Sequence, residues 1–246
     1  MNERAVLSNI SKTVFTRQDL LDAASIEMPE FKETDIRNLL EKLIANGDVT
    51  RIARNRYICG SEYNSVVDYS SHYSREANQL IKDVKEHFPY IGFQVWELSW
   101  FNEFLVHLVS RNMIFVDVEK EGCDFVYSAL ADDYHGRMLL RPNSKELQYY
   151  SQPDGIIIGR LISESPKVKD KPNDTPIEKL IVELFANKTL KQMISQGDYP
   201  YVLETMFEKY KIDQIKMLRY ARRRNKEEDL IRFIKENTGI KLMEEA

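Results

Sequence analysis

Residues 15–60 read FTRQDLLDAASIEMPEFKETDIRNLLEKLIANGDVTRIARNRYICG, and the stripes and breaks in this stretch decide the fold expected for the N-terminal part. Thr16-Arg17-Gln18-Asp19 opens a helix, with Thr16 placed to cap it and Asp19 near its positive end. Leu20, Leu21 and Ala24 give it an apolar face. Pro29 marks a break, and a second helix is expected from about Lys32 to Asn46. In it, Ile36, Leu39, Leu40, Leu43 and Ile44 recur at i, i+3, i+4, i+7 and i+8, one continuous buried stripe. Gly47 stands where a left-handed C-cap is needed. Val49-Thr50-Arg51-Ile52, a polar turn at Ala53-Arg54-Asn55, and Arg56-Tyr57-Ile58-Cys59 then read as a β-hairpin. The order predicts a winged helix-turn-helix over residues 1–60.

That order suits duplex DNA. The stripe would fix the second helix to the first and present its other face, Thr34, Asp35, Arg37, Asn38, Glu41 and Lys42, to a major groove. Arg37 has the hydrogen-bonding groups for a guanine edge and Asn38 those for an adenine edge. Arg51, Arg54 and Arg56, with Asn55 in the turn, would lie on or beside the hairpin, where phosphates or a minor groove run. The competing reading is an interaction module of the same shape, because Glu30, Glu33, Asp35 and Glu41 keep the helix far from uniformly basic. Clustering of arginine at the hairpin favours DNA. The expected DNA-binding set is Thr34, Arg37, Asn38, Lys42, Arg51, Arg54, Asn55 and Arg56.

Outward from this block, 246 residues exceed one ordinary domain and suit two. A chain 43% hydrophobic and 30% charged is globular in composition. The start, Met1-Asn2-Glu3-Arg4, is charged, and no apolar run nears the ~18–20 residues that cross a bilayer, so a cytoplasmic protein is expected. Cys59 and Cys123 have no metal-ligand spacing and read as buried thiols. The net charge of −4 argues against a protein that coats nucleic acid, but not against a local basic face.

Ser61–Ser74 reads as a linker. From about Arg75 to Ser165 strand-length apolar runs, Phe93–Trp96, Met113–Val118, Met138–Leu140 and Ile156–Ile158, alternate with helix-length segments at Ser99–Arg111 and Glu121–Tyr134, an α/β arrangement. Ser165–Asp174, polar and proline-punctuated, is an expected exposed connection. Thr175-Pro176-Ile177-Glu178 reads as a helix start, Thr175 capping and Pro176 first in the helix. From there the pattern is helical. The expected class is α+β: a winged helix-turn-helix (1–60), an α/β domain (75–165) and a helical region (175–246).

Lys216, Arg219, Arg222, Arg223 and Arg224 fall in one helix whose apolar positions are Ile212, Ile215, Leu218 and Ala221, and Asn225 with Glu228 reads as the cap of the next. These five cations are a second candidate contact, for DNA or for a protein partner. Against that, acids at Glu227, Glu228 and Asp229 stand close enough to pair with them, and cations at a helix C-terminus are favoured anyway.

Phe15-Thr16 at a helix start, the Leu39-Leu40-x-x-Leu43-Ile44-x-x-Gly47 helix end, Arg51 and Arg54-Asn55-Arg56-Tyr57 together resemble the N-terminal winged helix of the AbiEi family. Those proteins are antitoxins and autorepressors of AbiE (type IV) toxin–antitoxin systems. The resemblance extends loosely, through Phe93–Trp96, Arg137–Arg141 and Lys216–Lys235, to that family's larger C-terminal part. It implies a repressor of its own operon, bound to double-stranded operator DNA as dimer or successive monomers. It also implies a second part that assists DNA binding and counteracts a nucleotidyltransferase-like toxin.

The residues give no enzyme. Asp117-Val118-Glu119-Lys120 is nearest to a metal-dependent nuclease set, but its lysine is one place early and no upstream aspartate is obviously paired with it. Gly60-Ser61 lacks the nearby Asp-x-Asp of a nucleotidyltransferase. His72, His87, His107 and His135 have no metal spacing, and His107, with Trp100, Phe104 and Leu108, reads as helix core. No cofactor or metal is expected. The alternative reading is a one-component regulator whose α/β block senses a ligand.

Overall fold

The computed structural model describes residues 3–10, 14–53, 55–59, 67–150, 152 and 154–242, in two compact units of residues 1–67 and 68–242. Both mix helix and strand.

The first unit runs α1 (Glu3–Ser8), β1 (Val14–Phe15), α2 (Arg17–Glu27), α3 (Glu33–Ala45), β2 (Val49–Ala53) and β3 (Arg56–Cys59). Its strands are antiparallel in the order β1-β3-β2. At the start of α2 the Thr16 hydroxyl accepts the Asp19 N–H at 3.3 Å, and the Asp19 carboxylate accepts the Thr16 N–H at 2.8 Å, a reciprocal capping box. Thr16→Ala is therefore expected to lower this unit's unfolding free energy by about 1 kcal/mol. The readout is an earlier urea midpoint at unchanged slope; an unmoved midpoint would show that the cap contributes nothing.

α3 ends as its sequence demands. Gly47 takes φ +76°, its N–H reaches the Ile44 carbonyl at 3.1 Å, and the Asp48 N–H reaches that of Leu43 at 2.9 Å, a Schellman motif. Phe15, Leu20, Ala24, Ile36, Leu39, Leu40, Leu43 and Tyr57 form the core. Ile44 does not join them and is 41% exposed. It lies about 80° round the helix from Ile36, at the rim of the stripe.

The second unit opens with α4 (Arg75–His87) and β4 (Phe93–Glu97), then β5 (Met113–Val118), α5 (Cys123–Leu130), β6 (Met138–Leu140), α6 (Ser144–Tyr150) and β7 (Gly155–Arg160). Helices α7 (Ile177–Ala186), α8 (Leu190–Met193), α9 (Tyr199–Lys209), α10 (Gln214–Arg223) and α11 (Glu227–Asn237) follow. The sheet order is β4-β5-β7-β6, with β4 antiparallel to β5 and the other neighbours parallel. All four apolar runs picked out by sequence are strands. One pleat face, with Val95, Val116 and Ile158, packs on Leu80 and Val84 of α4 and Val126 and Leu130 of α5. The other, with Trp96, Phe115 and Ile157, packs on Leu180 and Leu184 of α7, Leu203 of α9 and Leu218 of α10. Burial on both faces is why these strands are apolar runs rather than alternations. The α/β block (75–165) and the described part of the expected helical region (175–242) thus share one core and one compact unit.

Segments expected to be simple connections or helices differ. Ser99–Arg111 is no α-helix: a 3-10 turn, Leu98–Glu103, gives way to a loop. The Asn102 side chain accepts the Val109 N–H at 2.7 Å and donates to the Val109 carbonyl at 3.2 Å, closing the loop in place of a helical ladder. Trp100 and Phe104 still enter the core, whereas His107 and Leu108 are exposed. Of the expected linker, 61–66 lie outside the described residues, while Tyr69 and Tyr73 pack edge-on to Trp100.

The 165–174 segment is a strap along the edge strand β4, not a free connection. Ser165 is buried and donates to Gln94 Oε1 at 2.6 Å, the Pro166 carbonyl accepts Gln94 Nε2 at 2.7 Å, and the Asn173 carbonyl accepts the Val95 N–H at 3.0 Å. An edge strand's open backbone groups are thereby covered. Thr175 serves the same edge. Its hydroxyl donates to the Val95 carbonyl at 2.9 Å, so Pro176 and not Thr175 is the N-cap of α7.

Candidate nucleic-acid interface

Helix α3 separates into two faces. Ile36, Leu39, Leu40 and Leu43 are buried, and Thr34, Arg37, Asn38, Glu41 and Lys42 are exposed, as the stripe requires. Arg37 and Glu41, one turn apart, form an exposed ion pair with the Arg37 Nε–H donating to Glu41 Oε1 at 2.9 Å. That hydrogen bond and the carboxylate's charge raise the Arg37 pKa.

The hairpin carries Arg51 on β2, exposed, and Arg56 on β3, half-buried. Arg54 lies outside the described residues. Asn55 takes φ 56° in the turn, a conformation that Asn tolerates better than most. Its Oδ1 accepts the Arg17 N–H at 3.1 Å, tying the hairpin to the start of α2, so its side chain has a structural bond as well as an exposed position. Sequence reasoning passed over Arg17, which is exposed and reaches Tyr57 Oη with Nε at 3.4 Å. The available signal was a cation in the first turn of a helix, where the dipole favours acids.

In the second unit the C-terminal cations sit on α10 and its C-cap, each with a partner. Lys216 pairs with Asp213 at 3.1 Å and Arg219 with Glu164 at 3.6 Å. Arg222 makes two bonds to Glu227, each 2.7 Å, and Arg223 donates to Ser163 Oγ at 3.0 Å. Arg224 turns inward to the buried Glu183 at 2.9 Å, and its own Nε is buried with no hydrogen-bond partner. The Glu183 carboxylate also accepts the Tyr220 hydroxyl at 2.6 Å, and burial with that charge pushes the phenol pKa far up. Arg224 thus belongs to the core network, while Lys216, Arg219, Arg222 and Arg223 stay exposed.

Two details of this helix differ from expectation. Met217 and Tyr220 fill the core, and Ile215 is 46% exposed. Asn225 is not a cap for α11. At φ 53° it is the left-handed residue after α10, with its N–H on the Arg222 carbonyl at 3.0 Å and the Lys226 N–H on that of Ala221 at 2.8 Å.

Asp117, the nearest approach to a nuclease carboxylate, is engaged internally. It accepts Trp96 Nε1–H at 2.9 Å and Lys179 Nζ at 2.6 Å. Among the described residues no three His, Cys, Asp or Glu side chains are grouped to hold a metal ion. None of their helices is long and apolar enough to cross a membrane.

A model described as a family of unknown function (DUF6577) matches residues 35–240, and the chain belongs to that family. The match starts within α3, so α1, β1 and α2 precede it. No curated protein matches the chain. Among solved structures, the chain is similar to the crystal structure of the RV2827C protein from Mycobacterium tuberculosis. Identity is 8%, 98% of this chain and 82% of that one are covered, and the TM-score of 0.25 carries no argument about fold.

Proposed function

We propose that this member of DUF6577 is a cytoplasmic DNA-binding transcriptional regulator, not an enzyme, whose first unit is a winged helix-turn-helix. The observation that carries the reading is the two-faced α3. Its stripe is buried in the unit's own core, and Thr34, Arg37, Asn38 and Lys42 stand on the opposite side, just ahead of a hairpin bearing Arg51 and Arg56. Such a helix offers base-reading groups, and the hairpin beside it offers phosphate-binding ones. The resemblance to AbiEi antitoxins supports a repressor of its own operon whose second unit counteracts a nucleotidyltransferase-like toxin. On that reading the exposed Lys216, Arg219, Arg222 and Arg223 contact DNA or the toxin.

A second reading is favoured by one observation. A cleft of ≈ 340 Å³ in the second unit is lined by Lys85, Tyr90, Ile91, Phe93, Leu161 and Lys167 among others. That volume is at the small end for ligand sites, and it suits a one-component regulator that senses a small molecule.

The test is a titration of the purified chain against DNA from upstream of its own gene, beside a scrambled duplex, at two salt concentrations. Preferential, salt-sensitive binding is expected. Replacing both Arg51 and Arg56 with Ala is expected to weaken it and to flatten the log–log salt slope by about 0.9 for each phosphate that the variant leaves unneutralised. Replacing Asn38 is expected to relax sequence preference instead. Equal binding to both duplexes at both salts would sink the reading.

A further inference from the structure

An acid in the middle of the exposed face of α3 opposes binding to a polyanion by charge alone. Glu41 nevertheless has a specific partner: its carboxylate accepts the Arg37 Nε–H at 2.9 Å. Among the described residues this is the ion pair that Arg37 makes, and both side chains are largely exposed, 79% and 63%. A bond at Nε fixes the guanidinium plane and leaves the two terminal amino groups to a ligand. Guanine is read by two parallel N–H donors directed at O6 and N7. A guanidinium held at Nε retains one edge for that pair, the one formed by Nη1 and Nη2.

Resting on the DNA-binding reading above, we infer that Glu41 is a positioning residue that braces Arg37 to read a guanine in the bound duplex. Its negative charge repels phosphates of every sequence alike, so it lowers affinity for any DNA. Its brace acts on discrimination. An unheld arginine side chain has many rotamers open to it and swings readily to phosphates. A held one gives up part of that freedom before binding and is a poorer match for such substitutes. The same carboxylate thus weakens wrong complexes more than the right one, the device by which specificity is gained at the cost of affinity.

The experiment uses the full chain and a library of short duplexes with randomised centres, sequenced after selection. Titrations of the best duplex, its guanine-to-adenine variants and a scrambled duplex follow, for the unmodified protein, Glu41→Ala, Glu41→Gln and Arg37→Ala. Both Glu41 variants are expected to bind the scrambled duplex more tightly, with a steeper salt dependence. Glu41→Ala is expected to lose roughly tenfold in preference for one guanine, the same position at which Arg37→Ala loses it. Glu41→Gln, whose amide oxygen still accepts from Nε, is expected to keep most of that preference. A guanine preference undiminished in Glu41→Ala overturns the inference and leaves the DNA reading standing. So does a loss in Glu41→Gln equal to that in Glu41→Ala, since charge alone would then account for it. No sequence preference in the unmodified protein overturns both.

Discussion

Lys179→Met is expected to destabilise the second unit by roughly 3–5 kcal/mol. Lys179 is fully buried in α7, with Nζ 2.6 Å from Asp117 Oδ2 on β5 and 3.0 Å from Gln94 Oε1 on β4. Removing two charges from water costs several kcal/mol per ion, and their attraction offsets this only while both are present. Methionine fills a similar volume but leaves the Asp117 carboxylate facing Trp96 with its cation gone. Lys179→Met combined with Asp117→Asn should recover most of the loss, because an amide oxygen still accepts the Trp96 N–H and no lone charge remains. Urea unfolding followed by tryptophan fluorescence is the measurement. The chain has two tryptophans, Trp96 and Trp100, both in the second unit, so the signal reports that unit. Equal losses in the single and double variants would show that packing, not the charge, is what Lys179 contributes.

Glu183→Leu is the second large effect, with an expected loss again of about 3–5 kcal/mol. One turn along α7 from Lys179, Glu183 is 3% exposed and accepts from both Tyr220 and Arg224 of the α10 region. Leucine would strand a buried hydroxyl and a guanidinium whose Nε already lacks a partner. Glu183→Gln keeps an acceptor oxygen and should cost less, about 1–3 kcal/mol. If Gln and Leu are equally damaging, the formal charge opposite Arg224 is the deciding term. A guanidinium that holds the end of α10 to α7 is not available to a ligand, which sets Arg224 apart from its exposed neighbours.

The elements governed by neighbours in sequence were legible in it. Thr16 with Asp19, Gly47 after α3 and the stripe from Ile36 to Leu43 are decided within a turn or two of chain. Each has the cap or the burial that its spacing predicts. The four strands were legible for a related reason: a run apolar at nearly every residue, broken only by Gln94 and Asp117, has to be covered on both faces. The exposed groups of α3 follow from the same stripe, since a helix that buries one face exposes the other.

What sequence left open depends on partners far along the chain. Arg223 meets Ser163 across 60 positions, Arg224 meets Glu183 across 41, and Lys179 meets Gln94 across 85. Nothing local distinguishes these side chains from solvated ones. Composition likewise marked 165–174 as an exposed connection, but Gln94 and the open edge of β4 bind it down. Asn225 shows the limit at shortest range: the spacing to Glu228 fits a cap, but the carbonyls ending α10 take its N–H and that of Lys226 first. Local periodicity thus determined which residues form the elements and which α3 side chains face outward. Tertiary packing decided which cations remain for a partner, because a charge is committed by the nearest opposite charge in space, whatever its distance in sequence.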